Sequence, residues 1–345
     1  GLVSANKGLA YKQILDDFEH LNLRWNEIEI EYENHTIKNV EPSFKNVVGY
    51  EILFSGVINF AHLGVPQARE RLIIIGLRKD LLHHFEHIKK LKNDIKNYII
   101  GSRLMFSRYP LTPIEIFHGD VLSHLQNEYR GIMEKYKYDK SKIISKKLEN
   151  YAENIYPKYT FNILEDYKWL NKRNNCPQLD LFIYEDEIIE KQHKNILLEL
   201  GYYRKSVENT DVFNDKSNTV LREMTRINNR MKHIPPGGNH EFIKNTEYHV
   251  TGLMSNIYRR IHPLKPSPTI IARGGGGTWG YHYAFERQKM TNRERARLQT
   301  FPDSFVFKGK PSDVRRQIGE AVPPLTAKRI AEAVAGALDK LSGTR

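Results

Sequence analysis

Apolar positions recur at helical spacing near both ends of the chain. Residues 10–21 carry them three or four positions apart, which predicts an amphipathic helix. At the other end, Pro323 and Pro324 suit the first turn of a second helix. Its predicted apolar stripe is Ile330, Val334, Leu338 and Leu341.

Two strand-like runs follow the first helix, at residues 50–58 and 72–77. The second run is continuously apolar, which is typical of a strand that is buried on both faces of an α/β sheet. Between the two runs, the sequence GVP at residues 64–66 predicts a turn. This part of the chain therefore predicts an α/β fold.

The composition changes at about residue 81. From there to about residue 231, Lys, Asn, Tyr and Ile dominate, apolar residues are scattered, and no motif with a chemical role stands out. We interpret this stretch as a variable insertion. A Gly/Pro-rich zone follows it, with loops at residues 234–239 and 273–277.

Overall composition narrows the class of protein. With 345 residues, of which 40% are hydrophobic, the chain has enough apolar content for two domains. Its longest apolar runs are far shorter than the roughly 20 residues that a membrane-spanning helix needs. The single cysteine, Cys176, excludes an intrachain disulfide, and the histidines show no metal-ligand spacing. We expect a soluble, cytoplasmic protein without a metal site.

Positive charge is concentrated towards the C-terminal end. Residues 251–345 hold 17 Lys and Arg against 7 Asp and Glu, whereas residues 1–250 hold 36 against 34. A positive region of this kind favours a polyanionic partner, because neutralised phosphates release their counterions. The alternative is a surface that only keeps the protein soluble.

The first motif with chemical content is the sequence GVPQARERLIIIG at residues 64–76. Arg69 and Arg71 are two positions apart at a strand entrance, so both side chains would point to one side. A solvated charge pair is the alternative. The whole string closely resembles motif VIII of the DNA (cytosine-5) methyltransferase family. The resemblance implies that Arg71 reaches O2 of a flipped cytosine and that Arg69 lies near the DNA backbone or braces the site. Gln67 is either part of this site or structural.

A second string, RERARLQTFPDSF at residues 293–305, resembles motif IX of the same family. It predicts a short basic helix that ends at Phe301, because the residue before a proline is disfavoured in a helix. The resemblance implies that this element organises the target-recognition domain. Structural or phosphate-contacting roles follow for Arg293, Arg297 and Gln299, and a structural role follows for Pro302. A plain surface helix is the alternative.

A third string, QIGEAVPP at residues 317–324, resembles motif X. In the family this segment closes the S-adenosylmethionine pocket, which makes Glu320, Ala321 and Val322 candidate cofactor contacts. Glu320 departs from the asparagine that is usual there, and an ionised carboxylate only accepts hydrogen bonds. A helix start that binds no ligand is the alternative.

The glycine-rich run at residues 274–277 is not a nucleotide-binding P-loop, because no Gly-Lys-Ser/Thr follows it. With PSPTI before it and TWGY after it, the run resembles a target-recognition loop, where glycines let backbone amides approach DNA closely. The candidate DNA contacts are Thr269, Arg273, Gly274, Gly275, Gly276 and Gly277. A flexible linker is the alternative, and the aromatic Trp279 argues against it.

Methylating C5 of cytosine requires a thiolate that adds to C6 and a base that leaves the duplex. In the family, a Pro-Cys-Gln loop, a Glu-Asn-Val motif and a glycine-rich motif I supply the nucleophile, the acid and the cofactor site. The sequence contains none of them. Cys176 stands in the reversed order Cys-Pro-Gln, so we reject it as the nucleophile. The opening GLVS resembles the residues that follow Glu-Asn-Val, and the chain is therefore interpreted as a methyltransferase fragment.

The predicted fold is the C-terminal part of a Rossmann-like methyltransferase sheet plus a smaller target-recognition domain. Residues 1–85 would end the catalytic domain, residues 86–310 would recognise the target, and residues 311–345 would return to the catalytic domain. The expected partners are double-stranded DNA and the missing N-terminal half. The expected setting is the nucleoid and a restriction-modification system. The alternative is a separate DNA-binding subunit of a split methyltransferase, inactive alone.

Overall fold

The computed structural model describes residues 3–21, 30–32, 35–37, 48–84, 87–101, 104–172, 185–208, 213, 215–220, 224–251, 254–274, 277–278 and 280–342. Both strands and helices are present, so the predicted α/β class is confirmed. The strands are β1 (Ile30–Tyr32), β2 (His35–Ile37), β3 (Tyr50–Asn59), β4 (Gln67–Ala68), β5 (Glu70–Arg78) and β6 (Ser267–Pro268). The α-helices are α1 (Leu9–Glu19), α2 (Ile88–Lys96), α3 (Leu104–Arg108), α4 (Pro113–His118), α5 (Gln126–Glu134), α6 (Lys146–Asn150), α7 (Ile163–Asn171), α8 (Glu185–Glu199), α9 (Thr225–Met231), α10 (Asn292–Leu298), α11 (Pro311–Glu320) and α12 (Pro324–Ser342).

The chain forms two compact units. The first comprises Gly1–Asn59, Glu70–Arg103 and Lys328–Arg345, and the second comprises Phe60–Arg69 and Leu104–Ala327. The predicted domain boundaries at residues 85/86 and 310/311 stay a prediction.

An antiparallel pair of strands, β3 and β5, is the centre of the first unit. The register runs from Tyr50 opposite Arg78 to Asn59 opposite Glu70. A β-bulge between Ile52 and Phe54 inserts one extra residue into β3, which bends a strand and increases its twist. The predicted strands at residues 50–58 and 72–77 are thus confirmed as β3 and β5.

The burial predicted for residues 72–77 is wrong. The side chains at positions 72–75 and 77 are half-buried and Gly76 is exposed. Within the described residues, β5 pairs only with β3, so its apolar run is not covered by a larger sheet. A lack of polar residues in a strand does not by itself reveal how many neighbours cover it.

Helices α1 and α2 pack against β3. The Tyr11 hydroxyl lies 2.6 Å from Oγ of Ser55, and Phe18 meets Tyr50 edge to face with ring centroids 6.0 Å apart. From α2, Lys92 pairs with Glu51 on β3. The predicted helix at residues 10–21 is therefore confirmed as α1. Side chains on one side of this helix contact the strand pair.

The second unit is mainly helical. Helices also form within residues 104–231, which belong to the stretch interpreted from the sequence as a variable insertion. The core of this unit contains fully buried aromatic side chains, among them Tyr129, Tyr167 and Tyr202. Buried hydroxyls find acceptors there: Tyr129 donates to Asp166 over 2.6 Å and Tyr167 to the Pro110 carbonyl over 2.8 Å. Residues 104–172 thus contribute buried side chains to the core of the second unit, although their sequence shows no clean periodicity.

Helix α12 confirms the predicted terminal helix, but the buried face differs from the predicted stripe. The residues on its buried side are Leu325, Thr326, Arg329, Ala333 and Ala337. Ile330 and Val334 are half-buried, and Leu338 is 48% exposed. Small residues are buried where close packing leaves no room for larger ones, so the position of the stripe depends on the packing partner.

In the parts of the chain that the structure describes, no helix is long and apolar enough to cross a membrane. The same residues contain no group of three or more histidine, cysteine or acidic side chains arranged to hold a metal ion.

Candidate functional site

Gln67 lies at the centre of a buried network in the second unit. Strand β4 pairs in parallel with β6, and this pairing brings Gln67 opposite Ser267. The Gln67 side chain is fully buried. Its Oε1 accepts a hydrogen bond from the backbone N–H of Ile270 over 2.7 Å, and its Nε2 donates to Oε1 of Gln299 over 2.9 Å. The geometry favours the structural role that the sequence left open for Gln67.

Arg69 is also buried, with 7% of its surface exposed. Its guanidinium donates to the carbonyl oxygens of Ile270 over 3.3 Å and Gly319 over 3.4 Å. A side chain at Gly319 would not fit, because a Cβ there would lie 2.2 Å from the backbone nitrogen of Ala272. Of the two roles expected for Arg69, these contacts favour bracing the segment at residues 270–272.

Arg71 differs from both, because it is exposed at the start of β5. It stands opposite Ile58 in the register of the strand pair. One guanidinium nitrogen donates to the carbonyl of Glu70 over 2.7 Å. Arg71 therefore keeps further donors that face solvent, whereas Gln67 and Arg69 are committed to buried partners.

The arginines of α10 are buried, and the plain surface helix is excluded because residues 293–298 are all buried. Arg293 donates to Asp215 over 2.6 Å, to Ser217 and to the Phe305 carbonyl. Burial lowers the pKa of Arg293 from its ordinary value, and the Asp215 carboxylate opposes that shift. Of the two roles expected for Arg293, its burial and these protein contacts favour the structural one.

Arg297 is fully buried and equally committed. It forms a two-point pair with Asp303, with Nε to Oδ1 at 3.0 Å, and donates to the carbonyls of Ile116 and Lys205 over 2.9 and 2.8 Å. Paired, hydrogen-bonded guanidinium groups are the form in which arginine is tolerated inside a protein. Arg297 thus joins α10 to α4 and to the chain after α8.

Helix α10 ends at Leu298, not at Phe301 as predicted. Thr300 adopts a left-handed conformation with φ 62°. Its N–H donates to the Arg297 carbonyl and the N–H of Phe301 donates to the Ala296 carbonyl, both over 2.9 Å. These two bonds form a Schellman motif, which satisfies carbonyls at a helix end. Pro302 therefore follows the end of the helix and does not cause it.

The candidate cofactor contacts lie where α11 ends and before α12 begins. Glu320 is exposed, Ala321 is half-buried and Val322 is 58% exposed. An exposed carboxylate accepts hydrogen bonds from hydroxyl or amino groups, and an exposed valine offers apolar surface. These residues fit contacts to S-adenosylmethionine, because that molecule has hydroxyl groups, amino groups and apolar surface.

The candidate DNA contacts lie partly within the described residues. The Thr269 hydroxyl donates to the Ala68 carbonyl over 3.3 Å, and Arg273 is exposed. Gly277 has φ 92°, and a Cβ there would lie 2.8 Å from the Tyr258 ring, so only glycine fits. Gly275, Gly276 and Trp279 lie outside the described residues, as does Cys176.

Beside Thr269 the second unit contains a cleft of about 1060 Å³, which the sequence did not predict. Its walls come from Ala68 and from residues within 151–170, 236–242 and 254–271. Basic residues on these walls are Lys158, Arg259, Arg260 and Lys265, and none of the described residues that line the cleft is acidic. The cleft thus has a positive surface, to which the loop at residues 236–238 contributes.

Aromatic rings form part of the cleft wall. Trp169 is 38% exposed and meets Tyr159 edge to face at 5.5 Å. His262 accepts the N–H of Leu264 at Nδ1, so its Nε2 carries the proton and donates to the Tyr159 hydroxyl over 3.0 Å. Burial lowers the pKa of His262 to about 3, which keeps this ring neutral. The positive charge of the cleft therefore comes from its lysines and arginines.

The model of the C-5 cytosine-specific DNA methylase family matches residues 27–336. The chain belongs to this family. It is 47% identical, over 98% of its length, to DNA (cytosine-5-)-methyltransferase M.ApeKI of Aeropyrum pernix, and it spans 70% of that relative. It is 48% identical, over 97% of its length, to Type II methyltransferase M.NgoFVII of Neisseria gonorrhoeae, and it spans 56% of that relative.

The resemblance of the sequence to cytosine-5 DNA methylases is thus confirmed. S-adenosylmethionine is the cofactor of this family of DNA methylases. Sequence reasoning missed four residues that line the cleft, because no motif of the kind that identified Arg71 contains them: Lys158, Trp169, Asn256 and Arg259. Only a run of two arginines at positions 259 and 260 marked that part of the sequence.

Proposed function

We propose that this chain binds double-stranded DNA and serves the transfer of a methyl group to C5 of a flipped cytosine. Membership of the C-5 cytosine-specific DNA methylase family supports the reaction. The observation that carries the DNA-binding part is the cleft without acidic residues, next to Thr269 in the second unit. A polyanion would be drawn to such a surface, and the candidate contacts at residues 269 and 273–277 would add backbone and charged groups.

The reaction requires a nucleophile that we do not assign to Cys176. C5 of cytosine becomes nucleophilic when a thiolate adds to C6, and loss of the C5 proton and elimination of the thiolate restore the ring after methylation. Cys176 is the only cysteine of the sequence and stands in the order Cys-Pro-Gln. We infer that the attacking cysteine comes from outside these 345 residues, in the same polypeptide or in a partner subunit. In the second case this chain would be the DNA-binding subunit of a split enzyme.

Arg71 is the residue that we place closest to the reacting base. Its exposed guanidinium would donate a charge-assisted hydrogen bond to O2 of the flipped cytosine. Negative charge develops on the ring and its carbonyl oxygen as the thiolate adds, so this bond would strengthen in the transition state. Arg69 and Gln67 would act within the second unit, by holding the backbone at Ile270.

S-adenosylmethionine supplies the methyl group when it is bound. On this chain we propose Glu320, Ala321 and Val322 as its contacts, with Glu320 as an acceptor. Type II relatives include M.NgoFVII and M.BbvI, the latter 50% identical over 33% of this chain and 31% of its own length. We propose by analogy that this chain serves a restriction-modification system at the nucleoid, and that the described residues between 86 and 310 recognise the target.

DNA binding is tested by titrating a labelled duplex with the chain at increasing salt concentration. Affinity should fall steeply, because each neutralised phosphate contributes a slope of about 0.9 in log K against log salt. Arg273→Ala should lower that slope by about one for every duplex sequence, while Arg130→Ala on α5 serves as a charge-matched control. Salt-independent binding would contradict the proposal.

Methyl transfer is tested with labelled S-adenosylmethionine and DNA of mixed sequence. We expect background incorporation from these 345 residues alone, and the same result for Cys176→Ser. Incorporation that Cys176→Ser abolishes would show that the rejected cysteine is the nucleophile.

A further inference from the structure

We propose that Arg259 reads a guanine, and Asn256 the amino group of its paired cytosine, when DNA occupies the cleft of the second unit. This inference rests on the proposed DNA binding and goes further, because it names residues that determine sequence specificity. Both residues line the cleft, and neither belongs to the glycine-rich segment at residues 273–277.

Arg259 and its neighbour Arg260 have opposite environments. The Arg260 side chain is fully buried and donates to four carbonyl oxygens, those of Met231, His282, Ala284 and Arg287. Arg259 is half-buried, and its guanidinium forms no hydrogen bond or ion pair with the described part of the protein. Arg260 is thus committed to the fold, whereas the donors of Arg259 are available to a ligand.

The backbone that carries Arg259 is fixed on both sides. The Arg259 carbonyl accepts from the N–H of Tyr281 over 3.0 Å, and the N–H of Arg260 donates to the Gly238 carbonyl over 2.9 Å. The N–H of Arg259 closes a turn with the Asn256 carbonyl over 3.4 Å. A recognition side chain on a held backbone loses less freedom on binding than one on a free loop.

The Oδ1 atom of Asn256 favours a base over a phosphate as the ligand. Its Oδ1 is buried and has no hydrogen-bond partner among the described residues. The terminal amide torsion of asparagine is broad, so turning this oxygen towards the cleft breaks no hydrogen bond. An acceptor of this kind needs a donor, and a phosphate diester has none. Exocyclic amino groups at base edges are such donors.

A guanine–cytosine pair matches the two side chains together. In the major groove, guanine presents the acceptors O6 and N7, which fit the planar fork of an arginine, and cytosine presents an N4 amino donor. Lys158 and Lys265 line the same cleft and are point charges that suit phosphates. The two lysines would therefore bind phosphates of the DNA backbone, whereas Arg259 and Asn256 would read one base pair.

The test is selection from a randomised duplex library with the full chain, followed by sequencing of the bound DNA. Wild-type protein should enrich a guanine at a defined position. Arg259→Ala should reduce discrimination at that position about 5- to 150-fold and leave the other positions unchanged. Arg259→Lys should restore it only in part, because lysine lacks the fork. Arg130→Ala, an exposed arginine lost from α5, should select the same sites as wild type.

Two results would overturn the inference. Equal weakening by Arg259→Ala on every sequence, with a smaller salt slope, would make Arg259 a phosphate contact. An unchanged selection profile would remove it from the interface altogether. Thermal unfolding of each variant identifies loss of folding, and in that case Asn256→Ala provides a second test at the same base pair. Failure of the wild-type protein to bind any duplex would instead refute the proposed DNA-binding function.

Discussion

The side chain of Gln67 donates a hydrogen bond to that of Gln299 over 2.9 Å, although the two residues stand 232 positions apart. Gln299 in turn donates to the Ile318 carbonyl over 2.7 Å. One chain of buried amides therefore connects the three strings that resemble methyltransferase motifs. The three strings thus meet in a scaffold, and that scaffold holds the backbone at Ile270, between the cleft-lining residues Thr269 and Ile271.

Replacing Gln67 by leucine should destabilise the second unit. The Ile270 N–H and the Gln299 side chain would lose their partner while staying buried, at a cost of about 1–3 kcal/mol in the free energy of unfolding. Denaturant unfolding measures this. The control is Gln192→Leu on α8, where the side chain is exposed and a change within about 0.5 kcal/mol is expected. Equal stability of the two variants would contradict the network.

Thr300 offers a matched pair of substitutions. Its hydroxyl accepts the N–H of Leu325 over 3.1 Å, at the start of α12, while its backbone has φ 62°, which is strained for a branched side chain. Thr300→Val keeps the branched side chain and loses the hydrogen-bond acceptor, so the free energy of unfolding should fall by about 1–3 kcal/mol. Thr300→Ser keeps the acceptor and relieves the branching, so it should cost less. The opposite order in thermal melts would show that the hydroxyl does not cap α12.

His193 should make stability depend on pH. Its ring is fully buried, with Nδ1 2.9 Å from Glu115 and Nε2 3.0 Å from the Tyr109 carbonyl, so both nitrogens face acceptors. Burial lowers the pKa of His193, but the Glu115 carboxylate and these hydrogen bonds outweigh burial and raise it overall. The contribution is complete below the unfolded pKa of about 6.5 and is lost as pH rises through the raised folded pKa.

The free energy of unfolding should therefore decline as pH rises above about 6.5, and His193→Gln should flatten that decline. His124→Gln is the control, because the His124 side chain is 59% exposed. If the free energy of unfolding of His193→Gln declined with pH as steeply as that of the wild type, the buried ring would be neutral.

Arg71 should affect turnover more than DNA affinity in the active enzyme. Arg71→Ala removes the proposed transition-state donor, which should raise the barrier by about 2–4 kcal/mol at saturating DNA. Arg71→Lys should recover part of the rate, because lysine keeps the charge and lacks the planar fork. Arg78→Ala, at the other end of β5 and paired with Asp80, controls for loss of a strand charge. Normal turnover of Arg71→Ala would reduce Arg71 to a charge at a strand end.

Local pattern by itself determined several elements of this protein. The helix at residues 9–19, the strands at residues 50–59 and 70–78 and the helix at residues 324–342 follow from the spacing of apolar side chains and from proline positions, which act over a few residues. The motif strings were local as well, and they were sufficient to indicate the C-5 cytosine-specific DNA methylase family.

Only the tertiary structure decided which polar side chains of those strings are buried. Gln67 and Arg69 differ from Arg71 because segments at residues 267–272 and 298–319 pack over the first two, and no local pattern encodes a contact across more than 200 positions. The same holds for the cleft, whose walls come from four separated segments. Apolar spacing shows that a side chain has a packing partner, whereas long-range folding determines which partner covers it and which cationic side chains stay exposed.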